Sequence, residues 1–127
     1  MSDERPPLLP RRAWLVLFWA LVAVVTVLML MPHPPKPIDT GWDKSNHLLA
    51  FAAPTFAGLA MLRRWQAAAI AALCLGLLAW GASIEVLQSM LPPRQGDVAD
   101  WLADAVGVAV GLALYAGTRR VLSRGRR

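Results

Sequence analysis

Two acidic residues, Glu85 and Asp104, interrupt stretches that otherwise have the composition of membrane-spanning helices. Glu85 lies near the end of an apolar run that begins near Ala67, and Asp104 lies near the start of one that continues to about Ala116. A carboxylate at membrane depth is energetically costly, and it is usually retained for a function with a partner close by. These two positions therefore indicate either a binding or catalytic site or an essential buried network.

Other polar residues that could complete such a site lie at the ends of the same predicted helices. Histidine can act as an acid, a base or a metal ligand near neutral pH, and lysine and arginine can bind a phosphate or a carboxylate. The predicted ligand-binding residues are Asp43, Lys44, His47, Glu85, Gln88, Arg94, Asp100 and Asp104. The candidates for a catalytic role are His47, Glu85, Asp100 and Asp104. Asp97, in contrast, has the position of a helix N-cap.

The composition of the chain is that of a membrane protein. Its 127 residues are 57% hydrophobic, and the mean hydropathy is +0.46, whereas soluble domains are about 45–50% apolar. The net charge is +5, but five of the thirteen basic residues follow the last apolar run, in residues 119–127. Such a cluster is typical of a cytoplasmic segment that contacts anionic lipids, and it is not accompanied by a nucleic-acid-binding motif. The single cysteine, Cys74, cannot form an internal disulfide.

We predict an all-α integral membrane bundle of four transmembrane helices at residues 13–31, 43–62, 66–91 and 97–118. Tails at residues 1–12 and 119–127 flank this domain. The first run is 19 uncharged residues, long enough to cross a bilayer and too long for a signal-peptide core. Prolines 32, 34, 35 and 37 end the first helix, and Pro92 and Pro93 end the third.

Basic residues predict that both termini lie in the cytoplasm and that the protein is in the plasma membrane. Ten of them flank the spans on the side of the termini: Arg5, Arg11, Arg12, Arg63, Arg64, Arg119, Arg120, Arg124, Arg126 and Arg127. The other side has three: Lys36, Lys44 and Arg94. Positively charged loops face the cytoplasm, and tryptophans favour both interfaces. Accordingly, Trp42 and Trp101 are predicted at the outer interface, and Trp14 and Trp65 at the inner one.

Helix rise places the deepest polar groups at a similar level below the outer surface. His47 lies about 6 Å along its helix from the surface, Glu85 about 9 Å and Asp104 about 10 Å, at 1.5 Å per residue. Gly107 and Gly111 continue nearly the same face of the fourth helix as Asp104. Small residues at four-residue spacing predict that another helix approaches closely there.

Four short motifs occur in order on the last three predicted helices. They are D-K-x-x-H at Asp43, Lys44 and His47, E-x-x-Q at Glu85 and Gln88, R-x-x-D-x-x-D at Arg94, Asp97 and Asp100, and G-x-x-x-G at Gly107 and Gly111. This ordered set, within about residues 42–111, resembles the VanZ-like family of small bacterial membrane proteins, which is named after a teicoplanin-resistance protein. Asp104 stands where the family pattern has asparagine, which adds a charge. The resemblance implies a membrane location and a link to the cell envelope or the glycopeptide response, and it supplies no chemical mechanism.

The charge of the predicted site limits its ligands. Five carboxylates, those of Asp43, Glu85, Asp97, Asp100 and Asp104, and two cations, Lys44 and Arg94, leave a charge of −3 when His47 is neutral. Either some of the carboxylates take up protons, because burial and crowding disfavour their charged forms, or a divalent cation completes the site.

Three hypotheses follow from the sequence. The first is an outer-leaflet site for a lipid-linked cell-wall precursor or a related ligand, either binding or catalytic. The second is a structural or regulatory bundle held by the same ion pairs. The third is a subunit of an ion-coupled transporter, which would require an oligomer. No P-loop, serine-nucleophile motif or metalloprotease helix is present, so the sequence leaves open whether the protein is an enzyme.

Overall fold

The computed structural model describes residues 8–35, 41, 43–62 and 64–125, and these ranges contain helices and no strands. The helices are α1 (Arg11–Leu30), α2 (Asp43–Met61), α3 (Ala67–Ser89) and α4 (Val98–Arg124). The predicted all-helical class is therefore confirmed. Predictions that concern Arg5, Lys36, Pro37, Trp42, Arg63, Arg126 and Arg127 lie outside the described residues.

Helix α2 is the central helix, because it contacts α1, α3 and α4 and has the two largest interfaces of the bundle, those with α4 and α1. Its buried face includes Phe51, Thr55 and Leu59, none of which has any exposed surface. Phe51 stacks at a tilt on Trp80 of α3, with ring centroids 4.7 Å apart. The core of the bundle thus forms around the helix that also carries His47.

Within the described residues, three helices are long and apolar enough to span a membrane: α1, α3 and α4. Large apolar side chains point outward from them, among them Val16 and Trp19 of α1 and Leu75 of α3, as expected for surfaces that face lipid. Helix α2 does not meet that criterion, since it opens with the polar sequence DKSNH. Its position explains the difference: its neighbours cover it, so it needs less apolar surface than a helix surrounded by lipid. Three candidate spans are therefore established, and a fourth is not.

Gly107 and Gly111 are the points at which α4 meets the backbone of α2. A Cβ atom added to Gly107 would overlap the carbonyl oxygen of Leu48, and one added to Gly111 would lie 2.5 Å from the carbonyl oxygen of Ala52. Residues that bring helix backbones this close are characteristic of membrane helix packing. The predicted close approach of another helix to this glycine face is confirmed, and α2 is that helix.

Helix α4 continues to Arg124, six residues beyond the predicted end at Thr118. The guanidinium of Arg119 lies over the indole ring of Trp65, 4.5 Å from its centroid. Such a cation–π contact stabilises the last turns, and arginine and leucine are good helix formers. Residues 119–124 of the predicted basic tail therefore belong to α4.

Aromatic side chains connect the helices at the end of the bundle where α2 leads into α3. Tyr115 of α4 contacts Phe56 at 5.3 Å and Trp65 at 5.4 Å between ring centroids. Phe56 in turn contacts Trp14 of α1 at 5.9 Å. Trp101, toward the opposite end, donates its indole N–H to the carbonyl of Leu78 at 2.9 Å and thereby joins α4 to α3. Trp14 and Trp65 thus lie toward one end of the bundle and Trp101 toward the other, which is how the sequence grouped them.

Candidate functional site

His47 is the centre of the polar cluster. It lies one turn into α2 and is 1% exposed. Its Nδ1 is 2.8 Å from Oδ1 of Asp104, a hydrogen-bond distance. Nδ1 is also 3.8 Å from Oε1 of Glu85, and Nε2 is 3.9 Å from Oδ2 of Asp100. Residues from three helices, which the sequence placed at similar depth, therefore meet around one imidazole.

Glu85 links α3 to the start of α4. Its Oε2 accepts a hydrogen bond of 2.7 Å from the backbone N–H of Asp97, one of the N–H groups that a helix start leaves unpaired. The side chain of Asp97 accepts a hydrogen bond from the backbone N–H of Ala99 at 2.8 Å. Asp97 is thus the N-cap of α4, as its position in the sequence predicted.

Lys44 supplies the positive charge closest to the aspartates of α4. Its Nζ is 3.4 Å from Oδ1 of Asp100 and 3.8 Å from Oδ2 of Asp97. Asp100 is buried, whereas Lys44 remains partly exposed. Lys44 therefore pairs with carboxylates of the protein itself.

Arg94 and Gln88 bind the C-terminal end of α1. The carbonyl oxygen of Met29 accepts hydrogen bonds from Nε2 of Gln88 at 2.7 Å and from Nε and Nη2 of Arg94 at 3.2 and 2.7 Å. A carbonyl in the last turn of a helix has no partner within the helix, and the negative end of the helix dipole attracts a cation. The described contacts thus place Arg94 on Met29, and those of Glu85 are with His47 and Asp97. Glu85 and Arg94, both predicted ligand-binding residues, therefore share no contact among those described.

Two cavities adjoin this cluster and share Asp43 and Arg94. The polar cavity has a volume of about 340 Å³ and is lined by Asp43, Gln88, Pro93, Arg94, Gln95, Asp97 and Asp100. The apolar cavity has a volume of about 360 Å³ and is lined by Val25, Leu28, Met29, Pro34, Asp43, Asn46, Leu49, Ala50 and Arg94. Of the eight predicted ligand-binding residues, Asp43, Gln88, Arg94 and Asp100 line the polar cavity. The other four, Lys44, His47, Glu85 and Asp104, lie in the contacts described above.

The structure places three residues at the site that the sequence did not predict there: Gly81, Gln95 and Asn46. A Cβ atom added to Gly81 would lie 2.8 Å from Oδ2 of Asp104. Gly81 precedes Glu85 by one helical turn, so the spacing along α3 could have revealed it. The carbonyl of Met29 was missed for another reason: any residue type can supply a backbone acceptor.

Two groups of side chains in the described residues could hold a metal ion. One consists of Asp43, His47 and Asp100, and the other of His47, Glu85 and Asp104. In the second group, Oε1 of Glu85 and Oδ2 of Asp104 are buried and have no hydrogen-bond partner. Both groups use His47, which is therefore central to any metal chemistry at this site.

Comparison with known proteins supports the resemblance seen in the motifs. A family model described as VanZ/LLP1 matches residues 14–121. A search of curated proteins and a search of solved structures found no match. The matched range includes α2 and α3 in full and most of α1 and α4, and it contains all eight predicted ligand-binding residues. The chain belongs to the VanZ/LLP1 family.

Proposed function

We propose that this protein is an integral protein of the bacterial plasma membrane that binds a lipid-linked cell-envelope precursor at the outer leaflet. In this proposal all four helices cross the bilayer, both termini lie in the cytoplasm, and the polar cavity opens toward the outer surface. The observation that carries the proposal is the pair of cavities, one polar and one apolar, that share Arg94 and Asp43.

The two cavities match the two parts of an amphipathic ligand. Val25 and Leu28 of α1 and Leu49 of α2 line the apolar cavity, where a hydrocarbon chain would replace contacts with lipid tails. The polar cavity, directly beside it, offers side-chain donors for a headgroup. A bound lipid would thus keep its chain at membrane depth while its headgroup sits among the polar ends of the helices.

Arg94 is the residue best placed to recognise a phosphate at the junction of the cavities. In its described contacts it uses Nε and Nη2 to bind Met29, so Nη1 is the guanidinium nitrogen that can meet a ligand. Arginine binds phosphate oxygens through several N–H groups held in a fixed plane. The neighbouring carboxylates would repel a free anion, and we therefore expect the hydrocarbon chain to supply much of the affinity.

The contacts around His47 support a second candidate function. Carboxylate oxygens of Glu85 on α3 and Asp104 on α4 lie within 4 Å of the imidazole of His47 on α2. These three side chains could serve only to fix the packing of a structural or regulatory bundle. This candidate predicts no selective binding of an anionic lipid.

A link to glycopeptide resistance is a further part of the first proposal, that of a lipid-binding protein, and it rests on the family alone.

Binding of a polyprenyl phosphate to the purified protein tests the proposed function. We expect the wild type to bind the phosphate more tightly than the uncharged polyprenol of the same chain length. Arg94→Gln should weaken phosphate binding about tenfold or more, because a charge-assisted hydrogen bond contributes about 1.5–3 kcal/mol. The measurement is native mass spectrometry or a thermal-shift titration in detergent.

Arg64→Gln is the matched control, since Arg64 is exposed and precedes α3, at the other end of the bundle. It should bind the phosphate as the wild type does. Equal affinity of the wild type for the phosphate and the alcohol would favour the structural candidate, and so would unchanged phosphate binding by Arg94→Gln.

A further inference from the structure

Two carboxylate oxygens in the centre of the bundle lack hydrogen-bond donors. Oε1 of Glu85 and Oδ2 of Asp104 are both buried and unpartnered among the described residues, and Asp104 has no exposed surface at all. A buried acceptor without a donor is costly and calls for a specific explanation. Both side chains also approach Nδ1 of His47, Glu85 through Oε1 at 3.8 Å and Asp104 through its other oxygen, Oδ1, at 2.8 Å, so an ion beside Nδ1 would lie close to both carboxylate groups.

The donor atoms around this position have the spacing of a metal site. A ring nitrogen of His47, a carboxylate oxygen of Glu85 and a carboxylate oxygen of Asp104 all lie within 4.8 Å of one another. Nδ1 is 2.8 Å from Oδ1 of Asp104 and 3.8 Å from Oε1 of Glu85. Ligands held at roughly 2.0–2.2 Å from one ion are about 3.0–3.5 Å apart, so small side-chain movements would bring the three atoms to that geometry.

The surroundings of the cluster also favour a cation. A side chain at position 81 would fill the space beside Oδ2 of Asp104, because even a Cβ atom there would lie 2.8 Å from that oxygen. The positive charge of Lys44 is directed to Asp97 and to Asp100, which faces Nε2 of the imidazole and not Nδ1. Two carboxylates and a neutral imidazole would thus gain their charge balance from a divalent ion.

We propose that His47, Glu85 and Asp104 bind a divalent transition-metal ion, with one ligand from each of α2, α3 and α4. One imidazole nitrogen and two carboxylates suit zinc or manganese. Metal binding requires Nδ1 to be unprotonated, so the proton between Nδ1 and Oδ1 of Asp104 leaves to solvent as the ion enters. This site does not depend on the lipid ligand proposed above.

The other group around His47 is less suited to the ion. Asp43 is exposed at the start of α2, and Oδ1 of Asp100 is already within 3.4 Å of the Lys44 ammonium. Neither residue contributes an unpartnered buried oxygen. Asp43 therefore provides a control acid that lies close to the proposed site and outside it.

Binding of Mn²⁺ to the purified, chelator-treated protein tests the proposal without any assay of activity. Electron paramagnetic resonance should show one bound Mn²⁺ per chain, displaced by Zn²⁺, and saturating metal should raise the melting temperature. Glu85→Gln and Asp104→Asn should each weaken binding at least about tenfold, since loss of an outer-shell partner alone costs 10–100-fold. Asp43→Asn and His33→Gln should bind as the wild type does, and His33→Gln removes the other histidine as a source of binding.

The wild-type measurement remains decisive even if a variant of a buried residue does not fold. Absence of bound Mn²⁺ and Zn²⁺ from folded wild-type protein at millimolar metal would overturn the proposal. Wild-type affinity in folded Glu85→Gln would do the same, as would loss of binding in Asp43→Asn while Glu85→Gln retains it.

Discussion

Gly107→Ala should strongly destabilise the protein, although it adds only one methyl group. The new Cβ atom would overlap the carbonyl oxygen of Leu48, and it would lie 3.0 Å from the Cβ of Phe51. The clash is with the backbone of α2, which cannot rotate away, so α2 and α4 must separate. Overpacking of this kind costs about 1–3 kcal/mol and occasionally more. We expect a melting temperature in detergent well below that of the wild type.

Gly117→Ala is the matched control on the same helix, because a Cβ atom at Gly117 meets nothing within 4 Å. Alanine is favoured over glycine in a helix by about 1 kcal/mol, so this variant should be at least as stable as the wild type. If both variants lost stability equally, the close contact of α2 with Gly107 would not be the cause.

His47→Leu should also strongly destabilise the protein, because it removes the imidazole that lies within 4 Å of carboxylate oxygens of both Glu85 and Asp104. Asp104 would lose the partner of its 2.8 Å hydrogen bond, and the nearby Oε1 of Glu85 already lacks a hydrogen-bond partner. Removal of one member of a buried pair typically costs about 3–5 kcal/mol. We expect a large loss of folded protein in the membrane and a lowered melting temperature.

The double variant His47→Leu/Asp104→Leu separates charge from packing. Replacement of both members of a buried pair by apolar residues is often close to neutral, so the second change should restore much of the lost stability. His33→Leu, at an exposed position after α1, should have little effect. Equal or greater loss in the double variant would mean that His47 acts through packing alone.

The sequence predicted that the buried polar groups lie at a common level along the bundle, because helix rise is nearly constant. Residue counts from helix ends placed His47, Glu85 and Asp104 at one level, and the structure brings oxygens of Glu85 and Asp104 within 4 Å of the His47 imidazole. The G-x-x-x-G spacing likewise predicted where another helix would approach α4. Both inferences use only regular backbone geometry.

The partners of the long side chains could not be predicted in the same way. The sequence offered Arg94 as a residue that could bind a phosphate or a carboxylate, whereas its guanidinium donates to the backbone carbonyl of Met29. Loop geometry and several side-chain torsions decide such a contact. A backbone acceptor cannot be identified from the sequence, because every residue type has a carbonyl oxygen. The central position of α2 was also not predicted, since hydropathy reports the cost of contact with lipid and not which neighbours a helix has.

The polar cavity is proposed to open toward the outer surface of the membrane, and the accessibility of single residues tests this most directly. Cys74 is the single cysteine, so a Cys74→Ala background allows one new cysteine at a time. Gln95 follows the C-terminal end of α3 and lines the polar cavity, whereas Arg64 precedes the N-terminal end of α3. Both residues are exposed. A membrane-impermeant maleimide applied to intact cells or spheroplasts should label Gln95→Cys and should label Arg64→Cys only after permeabilisation. Labelling of Arg64→Cys in intact cells, with Gln95→Cys protected, would place the cavity in the cytoplasm and contradict the proposed outer-leaflet site.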